Sequence, residues 1–192
     1  RRIDQIIFHD LGYTDSINYR DGEVNLKKTV FLYTESETDS CIALLKLFKN
    51  WIQDFTVSTS YSAITDKPEL LIISENFSFP LNQTLHVPVV VSSDNTTGLH
   101  QLISCKTPVF TCGFHEKDCL SYSSFLSETK MISLNRTITS FSGVKIEPFE
   151  LAVNKKACIA DPFSLLAFIM TMLINDFSVE NLSDFLGKNY IS

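Results

Sequence analysis

Glycine and proline are sparse in this sequence, six of each among 192 residues, and no tract of one or two residue types recurs. That pattern excludes collagen-like and low-complexity chains, and a content of 44% hydrophobic and 20% charged residues excludes a disordered one. Long hydrophobic runs are lacking too. The longest, Leu165 to Ile174, has about ten residues, half of what a bilayer requires, so no membrane association is expected. No basic-then-apolar leader stands at the N-terminus, which begins Arg1-Arg2. Positive charge is in deficit: 16 Lys and Arg against 22 Asp and Glu give a net charge of -6. No basic cluster is present to neutralise a run of phosphates, so nucleic acid is not an expected partner. The five cysteines, at 41, 105, 112, 119 and 158, are odd in number and lack a disulfide-framework spacing. They point to a reducing compartment, and the cytoplasm is the expected location. Five Asn-x-Ser/Thr triplets begin at Asn76, Asn82, Asn95, Asn135 and Asn181, a number that chance supplies in a chain rich in Asn, Ser and Thr. Also absent are Gly-x-Ser-x-Gly, His-Glu-x-x-His, a dinucleotide-binding fingerprint and Cys-x-x-Cys, which removes several common enzyme classes at once.

What is present is aromatic and β-branched. Fifteen phenylalanines supply large buried area to a core, and the length suits a single α/β domain over 1–192, with its core at about 28–187. Short, continuously apolar runs at Thr29–Tyr33, Glu69–Ser74, Val87–Val91 and Thr107–Thr111 predict strands covered on both faces. A further strand is expected at Phe55–Ser60, and an N-terminal one at Ile3–Phe8, followed by a loop over Gly12–Asn25. Between the first two central strands, Ile42, Leu44, Leu45, Leu47, Phe48, Trp51, Ile52 and Phe55 repeat with helical period after a Thr38-Asp39-Ser40 cap. Gly98–Ser104 reads as a short helix. The loop at Asn76–His86 carries apolar anchors at Phe77, Phe79 and Leu81.

From Cys119 onward the pattern turns to hairpins. Met131–Ser140 and Val144–Val153 flank a Ser142-Gly143 turn, and Pro148 marks an edge or an end. Asp161-Pro162 then opens a helix, Phe163–Ile174, that is apolar nearly all round, and Ser178 caps a last helix stopping at Gly187. The whole predicts a three-layer α/β fold: a mainly parallel, Rossmann-like sheet with an antiparallel hairpin extension.

The order of these pieces resembles the central domain of the Mur ligases, the ATP-dependent enzymes that add amino acids to bacterial peptidoglycan precursors. The residues that carry the resemblance are the strand Val89-Val90-Val91 with Ser93-Asp94 after it, the strand Val109 to Gly113, and Asp161 to Ala167 followed by Phe177 to Asn181. It covers roughly residues 28 to 187 and implies a nucleotide-binding fold linked to cell-wall precursors. The family's phosphate loop is Gly-rich with a Lys and a Ser/Thr, since bare amides and an ammonium must meet the phosphates. Here the corresponding turn is Tyr33-Thr-Glu-Ser-Glu-Thr-Asp39, with no Gly, no Lys and three carboxylates. For magnesium, only Glu75 matches the family's metal-binding Glu, and His86 lies too far along to pair with it. The expectation is therefore a domain without ligase activity that binds a small molecule or a protein subunit, with no cofactor assigned and zinc or ATP with magnesium left as alternatives.

Candidate ligand-binding residues stand where the strands end: Ser93, Asp94, Asn95, Cys112 and His115. Cys112, His115 and Cys119, with Cys105 upstream, also form a candidate zinc set or a thiol nucleophile with a base. The bland alternative is that these cysteines are small buried residues. Glu35, Glu37 and Asp39 offer oxygen ligands to a divalent cation, or else charge the start of a helix. His9 and Asp10 point to opposite faces of a strand, and Arg136 receives no role.

Overall fold

The computed structural model describes residues 27–48, 55–60, 67–78, 85–124, 129–154 and 161–188. The expected strand at Ile3–Phe8, His9 and Asp10, the loop at Gly12–Asn25, Trp51, Ile52, Phe79, Leu81, Asn82 and Cys158 lie outside these residues. The elements run β1 (Thr29–Leu32), α1 (Thr38–Phe48), β2 (Phe55–Ser58), β3 (Leu70–Ile73), β4 (Val89–Ser92), α2 (Thr96–Leu102), β5 (Val109–Gly113), β6 (Leu120–Ser124) and β7 (Thr129–Leu134). They continue as β8 (Ile138–Thr139), β9 (Lys145–Ile146), β10 (Phe149–Asn154), α3 (Pro162–Ile174) and α4 (Val179–Lys188).

Eight strands form one sheet in the order β10-β7-β6-β5-β4-β3-β1-β2. From β2 to β6 every pairing is parallel, and β7 and β10 close the far side antiparallel. The fold is thus α/β with a mostly parallel sheet flanked by helices, as a Rossmann-like reading requires. Side chains alternate between two cores along each strand. Phe31, Leu70, Ile72, Val90 and Phe110 face α1, α3 and α4, whereas Val30, Leu32, Leu71, Ile73 and Val91 face the side covered by α2.

Helix α3 explains why one face is so well filled. The Asp161 carboxylate caps it by accepting from the Phe163 and Ser164 N–H groups, both at 3.2 Å, and Pro162 occupies the first turn. Every residue from Phe163 to Ile174 is buried. Phe168 sits between Phe48 of α1 and Phe185 of α4, with ring centroids 5.1 and 5.7 Å away. Helix α4 opens as its sequence suggests, with the Asn181 N–H donating to the Ser178 hydroxyl at 3.2 Å.

Four expectations need correction. Parallel pairing does not end at Cys119: β6 adds one more parallel strand, hidden in sequence because Leu-Ser-Tyr-Ser-Ser breaks the apolar run. The predicted hairpin divides in two. β7 pairs with β10 in the main sheet, while β8 and β9 form a separate two-stranded ribbon around Gly143, whose φ of +86° suits a residue without Cβ. Asn135 and Pro148 interrupt the strands, the first by donating its side chain to the Asp118 carbonyl and the Ser121 hydroxyl, the second by lacking an N–H. Ile42, expected on the apolar face of α1, is 43% exposed. Finally, α1 is entered through a short 3-10 turn, Glu35–Glu37, so its capping lies upstream of Thr38.

The ribbon is held to the body by Asp176. This residue follows α3 in the left-handed region, φ +68°, where the Phe177 N–H returns to the Met172 carbonyl at 3.0 Å in a Schellman-type stop. Its carboxylate accepts from both the Ser140 and Ser142 hydroxyls and from the Ser142 N–H at 3.3 Å. Partial burial pushes the Asp176 carboxyl up, but the two hydroxyls and the amide outweigh that and leave it below the usual carboxylate range. A depressed folded-state pKa gives stability that is complete above the unfolded value, about pH 4, and lost as pH falls through the folded one. Asp176→Asn should therefore cost about 1 kcal/mol at neutral pH, a figure limited by solvent screening. In urea titrations the gap to the unchanged protein should narrow as pH falls below the unfolded value, and a gap independent of pH would show that the carboxylate charge is not what holds the ribbon.

Candidate functional site

The strand order reverses between β1 and β3, and in open α/β sheets ligands lie outside the carboxyl ends of the strands at such a reversal. Here that place is filled from within. Glu37, only 9% exposed, turns its carboxylate inward at the start of α1. It accepts from the Asn76 N–H at 2.8 Å, from the Thr34 N–H at 3.2 Å and from the Ser74 hydroxyl just beyond β3. Beside it lies Asn95, 3% exposed. Its side-chain amide donates to the Ser74 and Phe77 carbonyls at 2.7 and 2.8 Å, and its Oδ1 accepts the Gly98 N–H at 2.6 Å, capping α2. The ends of β1, β3 and β4 are thereby tied into one buried polar net.

A second knot follows at β5. The Asp118 carboxylate, 4% exposed, accepts from the Ser93 hydroxyl and the His115 backbone N–H, both at 3.0 Å. Gly113 makes this possible. A Cβ there would lie 2.1 Å from Ser93 Oγ and 2.8 Å from Asp118 Oδ2, so only glycine lets the two side chains meet. Arg136 donates from its guanidinium to the Lys117 carbonyl and steadies the same turn.

Around these knots the accessible rim is acidic. Glu75 and Asp94 are exposed and Asp161 is partly so. Burial pushes the Glu75 carboxyl up, and the neighbouring charges of Asp94, Asp161 and Glu37 push it further. Phe114, 49% exposed, stacks on Tyr122 with centroids 5.3 Å apart, and the Tyr122 hydroxyl donates to the Pro162 carbonyl at 3.1 Å.

Of the five residues predicted to bind a ligand, the structure brings Ser93, Asp94 and His115 to this rim. Asn95 and Cys112 are withdrawn from it. Asn95 has committed its amide hydrogens and Oδ1 to backbone groups, and Cys112 is 0% exposed in β5. Nor do Cys112, His115 and Cys119 assemble a zinc site. Among the described residues no three His, Cys, Asp or Glu side chains come together to hold a metal ion. Cys112 and Cys119 face the main core while His115 stands in solvent, so their closeness along the chain gathers them in sequence only. The nucleophile alternative fails for a related reason: burial pushes the Cys112 thiol well above its usual value, and Cys119 and Asp118 push it higher. The acidic run divides as well, with Glu37 inside and Glu35 and Asp39 in solvent. Two residues that matter most here, Asp118 and Ser74, carried no sequence signal, since their partners lie 25 and 37 positions away.

No protein-family model matches this chain, and no curated protein sequence matches it. Among the described residues no helix is long and apolar enough to cross a membrane.

Gly113→Ala should destabilise the protein by about 1–3 kcal/mol, because the added methyl must break the Ser93–Asp118 bond and leave Asp118 short of a donor. Ser93→Gly introduced alongside it should recover part of that loss in a denaturation cycle; simple additivity would mean that the clash lies elsewhere. Iodoacetamide at neutral pH should leave Cys112 unmodified in the native protein and label it in urea. Rapid native labelling, read by peptide mass, would restore the nucleophile reading.

Proposed function

We propose that this chain is a degenerate relative of the Mur ligase central domain that serves as a non-catalytic binding or interaction module, linked to cell-wall precursor metabolism in a bacterial cytoplasm. One observation carries the reading: the crevice between β1 and β3, where an α/β nucleotide-binding domain seats its phosphates, is occupied by the Glu37 carboxylate. A triphosphate meets no lysine and no run of bare amides in the turn Thr34–Thr38, and it faces Glu35, Asp39 and Glu75 as well. Like charges there oppose the binding of a polyanion. The four described cysteines are all free thiols, which fits a reducing compartment. The remaining accessible groups, Ser93, Asp94, His115 and Phe114, suit contacts with a polar or cationic surface of a small molecule or protein subunit.

An enzyme built on Cys112, His115 and Cys119 is the weaker reading, because its thiol is sealed in the core and its imidazole is not. Calorimetry of the full chain with magnesium-ATP should show no saturable heat at up to about millimolar nucleotide, the upper end of the usual KM range. Saturable binding would overturn the loss of the phosphate site and reopen an ATP-dependent activity.

A further inference from the structure

We draw no further inference here: the strongest candidate, the apolar groove between α2 and the start of β5 that Leu99, Leu102, Ile103 and Val109 line, is an unpartnered apolar face, and nothing in the structure shows what covers it.

Discussion

Helix α3 has no face turned to water, and that constraint organises most of the molecule. A thirteen-residue helix in which ten residues are Phe, Leu, Ile, Met or Ala must be covered on every side, so α1 and α4 flank it and β4, β5 and β6 lie beneath it. Its two ends then become fixed points. Asp161 at the start is set at the carboxyl edge of the sheet, among the carboxylates of Glu75 and Asp94. Asp176 at the finish reaches the β8–β9 ribbon, which has only two short strands and could not stand alone. Burial of one apolar helix thus positions both the acidic rim and the appended ribbon.

At the carboxyl edge, polarity has been turned inward. Glu37, Asn95 and Asp118 are each nearly buried, and each finds acceptors or donors among the chain's own backbone and hydroxyl groups. Groups satisfied in this way stiffen the loops they join but have little left to offer a ligand. The rim outside them retains exposed carboxylates, an imidazole and an aromatic ring.

Much of the scaffold was legible in the sequence because its strands obey one simple rule. Val89-Val90-Val91 and Leu70-Leu71-Ile72-Ile73 are continuously apolar, as strands buried on both faces must be, and Asp161-Pro162 marks the start of α3 by its capping chemistry. β6 was not legible, since its serines break the apolar run and Ser121 finds its partner far away: Asn135 reaches it across fourteen positions. The site was less legible still. Glu37 belongs to a charge run that reads as solvated, and only the fold, by bringing Ser74 and Asn76 beside it, turns it inward. Cys112, His115 and Cys119 failed in the opposite sense. Their closeness along the chain suggested a cluster, but a strand end and a solvent loop separated them. Local patterns report burial well; side-chain meetings across dozens of residues leave no local trace.

Asn95 brings a chemical liability. Its two amide hydrogens reach the carbonyl oxygens of Ser74 and Phe77, and neither of those acceptors can donate in return. Deamidation would place a carboxylate oxygen against one or both carbonyls inside a site 3% exposed, so attraction would become repulsion where water is scarce. The change adds less than one mass unit and a single charge. Its effect would nonetheless be to loosen β3 from the start of α2, because one amide joins the two.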